Sequence, residues 1–95
     1  MKHFALMYDV VDGFVDKRMQ FRPAHLELIR EAHASGDLVV AGALGDPPDG
    51  ALLVFRAENA DVVERFAKAD PYVTGGLVTR WSVRPWNVVI GAAPS

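Results

Sequence analysis

The chain has 95 residues, 51% of them apolar and 23% charged, with a formal net charge of −2. That is one compact domain with a packed core; the length excludes a second domain and the composition excludes disorder. With no cysteine, and with basic residues scattered rather than clustered, there is no disulfide framework, no thiolate chemistry and no positive face for nucleic acid.

The opening MKHFALMYD lacks the length and cleavage pattern of a signal peptide. No window approaches the ~20 apolar residues of a membrane span, so the expectation is a cytoplasmic protein with no membrane partner. Lys2 to Tyr8 reads as a strand, with Phe4, Leu6 and Tyr8 on one face and His3, Ala5 and Met7 on the other. Asp9 to Gly13 is a turn-rich exit. From Phe14 the pattern is weakly helical, and a clear helix starts at Pro23, where a missing N–H costs nothing. Leu26, Ile29, Ala32 and His33 share one of its faces, and Gly36 supplies a left-handed stop.

DLVVAGAL, Asp37 to Leu44, is a second strand and ALLVFR, Ala51 to Arg56, a third, joined as a hairpin across GDPPDG. Asn59 is a candidate N-cap for a second helix through Val62, Val63, Phe66 and Ala67, which Pro71 ends or redirects. Leu77 to Trp86 is a fourth strand, with Val88 to Ile90 as a candidate extension. The expectation is a single domain over residues 1–95, its core spanning about 1–90 and a short tail covering 91–95. The order β-α-β-β-α-β predicts an α+β, ferredoxin-like fold, a four-stranded antiparallel sheet with two helices on one face.

A sheet covered on one side alternates apolar with polar residues, and these strands do not. DLVVAGAL and ALLVF are apolar on both faces. The second face needs cover, so the expected partner is a second copy of the chain, docked sheet to sheet as a homodimer. The alternative is that the C-terminal extension folds over that face.

The same topology brings two chemically capable side chains together. The first helix starts, and the second ends, at the C-terminal end of the first strand. His25 of RPAHL sits in the first turn of one and Asp70 of KADPYV at the exit of the other. An imidazole exchanges protons near neutral pH, and a carboxylate on its other ring nitrogen fixes its tautomer. No serine or cysteine nucleophile accompanies them in a recognised arrangement, so proton transfer fits better than covalent catalysis. On residue type and spacing alone, His25 also reads as a packing residue and Asp70 as a turn former bonded to its own backbone.

RPAHL, the SGDLVVAG that closes its helix, and KADPYVTGGLV running into VRPW together resemble the YciI-like (YCII domain) family over nearly the whole chain. The resemblance implies a sheet-to-sheet dimer related to dimeric α/β-barrel enzymes, and a His–Asp dyad that falls on His25 and Asp70. One branch of that family resembles a dehydrochlorinase acting on a chlorinated hydroxyhydroquinone. The hairpin GDPPDGA is shorter than the loop many relatives carry, so substrate identity does not transfer.

Arg22 and Tyr72 flank the pair. Arg22 reads equally as a clamp for an anionic substrate and as a salt bridge to a rim acid. Tyr72 lines a pocket or packs, and Tyr8 is a weaker pocket candidate. His33 lies two turns beyond His25, too far for a shared metal, and His3 falls on the dimer-facing side; no metal site or cofactor is expected. Trp81 and Trp86 read as core and interface anchors. The leading functional expectation is a cofactor-independent acid–base enzyme carrying out elimination, such as dehydrochlorination, or isomerisation on a small organic substrate, aromatic ones included. The alternatives are a non-catalytic metabolite-binding module and a regulatory or structural dimerisation domain.

Overall fold

The centre of the sheet is built by β1 (Lys2–Val10), which pairs antiparallel with β3 (Gly50–Ala57) on one side and β4 (Val78–Trp86) on the other. β2 (Leu38–Leu44) closes the far side of β3, giving the order β2-β3-β1-β4 with every pair antiparallel. This is the expected split βαβ topology. The computed structural model describes residues 1–91, so all but the first residue of the 91–95 tail lies outside the described residues.

Alternation along β1 decides which side is the core. Phe4, Leu6 and Tyr8 are buried and face the helices, opposite Phe55, Leu53 and Ala51 of β3. α3 (Asp61–Ala69) lays Val63, Phe66 and Ala67 on that surface, the Phe66 ring edge-on to Phe55 at 5.0 Å. Full burial of Leu6, Leu53 and Val63 contributes about 1.5–3 kcal/mol each. α2 (Arg22–Ala34) behaves differently: none of its residues is fully buried. Leu28, Ile29 and Ala32 touch the core from its edge, and the helix stands off from β2 across an open cleft.

Several boundaries differ from the sequence reading, each for a local reason. The weakly helical stretch after Phe14 is broken into α1 (Phe14–Lys17) and a single 3-10 turn (Arg18–Gln20). α2 begins one residue early, at Arg22, with Pro23 in its first turn. Gly36 stops it with φ 90°, in the left-handed region that costs glycine least. His33 does not share the apolar face but is exposed, its Nδ1–H donating to the Leu38 carbonyl at 2.9 Å, which ties the helix end to the start of β2. The Asn59 side chain accepts the Asp61 N–H at 3.0 Å, just ahead of α3. Pro71 redirects the chain into a short α4 (Pro71–Thr74). Val88–Ile90 is not a strand; the Val88 N–H turns back onto the Trp86 carbonyl.

The sheet's other face is apolar on one half. A bulge in β2, where Leu38 pairs with Phe55 and Val40 with Val54, inserts Val39 as an unmatched residue. It keeps Leu38 in the core while Val40, at 60% exposure, looks out the opposite side. Met7, Leu44 and Trp86 are also exposed there, whereas β4 adds Arg80, Ser82 and Arg84. Val88 and Ile90 border a hollow at one corner, shared with His3, Val40 and Trp86, and leave Met7 and Leu44 uncovered. Trp81 is half-buried against the core. No helix among the described residues is long and apolar enough to cross a membrane.

Candidate active site

A residue that precedes proline is pushed out of the helical region, and Asp70 adopts φ −67°, ψ 123°, between α3 and α4. It closes the first helix and caps the second, its Oδ1 accepting the Tyr72 N–H at 3.0 Å. The side chain is fully buried. An isolated buried carboxylate costs several kcal/mol, and here three donors converge on it. Besides the Tyr72 N–H, the His25 Nδ1–H donates to Oδ1 at 2.8 Å and the Tyr8 hydroxyl to Oδ2 at 2.7 Å. The turn-forming role and the histidine-holding role coexist on one residue.

His25 enters from the first turn of α2, its side chain 13% exposed. With Nδ1–H committed to Asp70, the lone pair belongs to Nε2. The ring lies flat on Tyr72, centroids 3.7 Å apart and planes within 8°. Tyr72 is in turn braced edge-on by Phe14 at 5.4 Å. The imidazole is therefore held by a hydrogen bond in its plane and a stacked ring against its face, which leaves it little freedom to turn.

His25 borders a cleft of about 230 Å³ between α2 and the upper halves of β2 and β3. The space exists because the strand residues there are small. Ala41, Ala43, Gly50 and Ala51 occupy the wall, where lower positions of the same strands carry Leu38, Leu53 and Phe55. A Cβ at Gly50 would come within 3.0 Å of the Tyr8 carbonyl oxygen, so the backbone packing itself calls for glycine at the cleft's edge. Leu26 and Ile29 face this wall from α2. Asp70 lies behind the histidine and does not line the cleft; any influence it has on a ligand passes through His25.

All five residues singled out from sequence lie together at this end. Tyr8, Arg22, His25 and Tyr72 border the cleft, with Asp70 beneath them. Tyr8 does more than border it, since its hydroxyl holds Asp70. Arg22 has no acidic partner among the described residues. Arg18, which the sequence reading passed over, also lines the cleft, its guanidinium 5.5 Å above the Phe14 ring. The signal available was its place one turn before Arg22. Among the described residues no three His, Asp or Glu side chains gather as metal ligands.

Residues 1–87 match the YCII-related domain. The chain belongs to the YCII-related domain family. Protein YciI of Escherichia coli O6:H1 and its counterpart in Shigella flexneri are each 32% identical to it over 84 residues, or 79% of this chain and 86% of theirs. Among solved structures, 5-chloro-2-hydroxyhydroquinone dehydrochlorinase (TftG) from Burkholderia phenoliruptrix AC1100, in complex with 2,5-dihydroxybenzoquinone, is similar with a TM-score of 0.75. That likeness covers 90% of this chain and 93% of the dehydrochlorinase at 25% identity. Protein Atu4242 from Agrobacterium tumefaciens shares the fold, with a TM-score of 0.60 at 14% identity over 94% of each chain.

Burial of the two tyrosines yields a pH prediction. Burial pushes the Tyr8 hydroxyl far above its ordinary pKa, and the charge and hydrogen bond of Asp70 push the same way. Burial raises Tyr72 too, against the charge of Arg22 and its action as a donor and the charge of Arg18, and with a further push from Asp70. The folded chain therefore keeps phenolic protons that the unfolded chain releases above about pH 10. Stability is full below that pH and falls as pH rises through it. Tyrosinate absorbance is expected to stay absent near pH 10 in native protein and to appear in denaturant, with both tyrosines of the chain contributing. Tyr8→Phe, which leaves Asp70 Oδ2 without its donor, is expected to cost about 1–3 kcal/mol at neutral pH in urea unfolding and to flatten the alkaline loss.

Proposed function

We propose that this protein is a small acid–base enzyme in which His25 transfers a proton at a compact organic substrate and Asp70 holds the imidazole in position. The observation that carries the reading is the 2.8 Å bond between His25 Nδ1 and the buried Asp70 carboxylate, beside a cleft. Likeness to a dehydrochlorinase supports elimination as the reaction class. A cleft of about 230 Å³ suits one substituted ring, since a cavity of about 150 Å³ already takes benzene.

The geometry supports the following steps. Nε2 of His25 takes a proton from one ring hydroxyl of the bound substrate and gives it to the carbon that bears chlorine, forming the keto tautomer. Chloride then leaves that carbon with its bonding pair as His25 takes the proton of a second ring hydroxyl, whose O–H electron pair becomes a new C=O double bond, for a net loss of HCl. The imidazolium so formed is stabilised by the carboxylate behind it and passes its proton to solvent. In an isomerisation a proton taken from one carbon returns to a different carbon. A positioned acid–base group contributes about 10²–10⁴-fold.

Chloride release from 5-chloro-2-hydroxyhydroquinone, the compound in the neighbour's name, is the test. His25→Ala is expected to lower kcat by about 10²–10⁴-fold. Asp70→Asn is expected to lower kcat with little change in KM, as befits a residue that does not line the cleft. Binding with no turnover by the wild type, across this compound and a panel of chlorinated and hydroxylated aromatics, would instead favour a metabolite-binding module.

We further propose that the open sheet face docks a second copy of the chain. The support is its exposed apolar half, Met7, Val40, Leu44 and Trp86, which the C-terminal segment leaves largely bare. A two-fold contact sets such a patch against itself. Sedimentation of the wild type is expected to give a dimer, and Val40→Asp a folded monomer. A monomeric wild type would contradict the proposal.

A further inference from the structure

The cleft carries a donor set that the proton-transfer reading leaves unused. Arg18 and Arg22 both line it, and among the described residues neither faces a carboxylate. The Nε of Arg18 is buried without a hydrogen-bond partner. The hydroxyl of Tyr72, on a residue only 4% exposed, has no acceptor, with Arg22 acting on it as a donor. Arg18, Arg22 and Tyr72 all line the one cleft, where both guanidinium charges act on that hydroxyl and the Asp70 carboxylate acts on it in the opposite sense. Buried polar groups left without partners cost stability, and a protein with a net negative charge has acids to spare for neutralising two arginines. Asp70, beneath the histidine, is committed to three other donors, and no acid pairs with either arginine among the described residues.

Guanidinium groups only donate, and the phenol can add one more donor. What completes such a set is an acceptor-rich ligand, and a negatively charged one gains most. The remaining walls are Phe14, Leu26, Ile29 and small strand residues, an apolar surround in which the attraction between charges is stronger than in water. Arg18 is held over the Phe14 ring rather than extended into solvent. The planar forks of arginine match an oxyanion better than an ammonium would.

We propose that the ligand of this cleft is a small planar organic anion, its negative oxygen bound by Arg18, Arg22 and the Tyr72 hydroxyl, with the rest of the molecule lying beside His25. The inference rests on the acid–base reading and names its substrate class: a single-ring or similarly compact molecule carrying an ionised phenol, enol or carboxylate. In such a substrate the arginines also face the oxygen on which charge grows as His25 removes a proton, so binding and transition-state stabilisation fall to the same groups.

The test uses equilibrium binding, which needs no turnover. Benzoate and 4-nitrophenolate are titrated against their neutral counterparts benzamide and 4-nitroaniline at mildly alkaline pH, followed by NMR shifts of the Tyr72 and His25 rings. The wild type is expected to prefer at least one anion over its neutral counterpart by roughly ten-fold or more. Whichever anion binds tighter identifies the carboxylate or the phenolate as the preferred source of the charge. Arg18→Met and Arg22→Met are each expected to lose much of the preference, and Arg18→Lys to keep part of it. Equal affinity for anions and neutral counterparts, or a preference that survives in the Arg18→Met, Arg22→Met double variant, would overturn the proposal. A surviving anion preference without any effect of His25→Ala on catalysis would sink the acid–base reading and leave the anion site standing; the reverse pattern would sink only the anion site.

Discussion

Everything at the functional end of this molecule hangs on one buried carboxylate. Asp70 gathers a hydroxyl from the central strand, a ring N–H from α2 and a backbone N–H from α4. Those donors come from pieces of chain as far as 62 residues apart in sequence. A charge so placed loses stability with each missing partner, which makes it a constraint on the whole fold: β1, α2 and the α3–α4 junction must all arrive in register. The same demand orients the histidine. Stability and the geometry of the candidate site thus rest on one set of hydrogen bonds, and the cost of burying the acid is offset by donors that also build that site.

The sheet serves two masters through its residue sizes. On the helix side, large residues low on β2 and β3 make core, and small ones higher up make a cleft. On the far side, the β2 bulge keeps Leu38 in the core and sends Val40 outward, so the strand presents an apolar edge to each face. The cleft and the open face lie on opposite sides of the sheet. Occupation of one would leave the other free.

Much of this was legible in the sequence because it is periodic. Alternation at Phe4, Leu6 and Tyr8, the Gly36 stop and the breaker cluster between two apolar strands gave the element order, and the order implied the topology. His25 and Asp70 could be named because residue type, helix ends and a family resemblance converged on the same positions. Tyr8 was harder. Its place on a core face was readable, but its bond to Asp70 depends on a contact remote in sequence. Arg18 was harder to find, because its segment, α1 and a 3-10 turn, follows no single period and only its place four residues before Arg22 pointed to it. The alanines of the cleft wall read as apolar strand residues, since emptiness has no sequence signature until the opposite wall is in place. The apolar Val88–Ile90 suggested a strand by composition, yet the turn after Trp86 takes the segment out of the β4 ladder.

The His25–Asp70 pair requires a particular nitrogen of His25 to carry the proton when the ring is neutral. Nitrogen-15 NMR of the histidine side chains reports this directly in the wild-type protein. An imidazole held by the Asp70 carboxylate is expected to show a protonated Nδ1 and a bare Nε2, the reverse of the tautomer that free imidazole side chains favour. A neutral His25 with its proton on Nε2 would mean that the carboxylate does not hold the ring, and the site as described here would not exist.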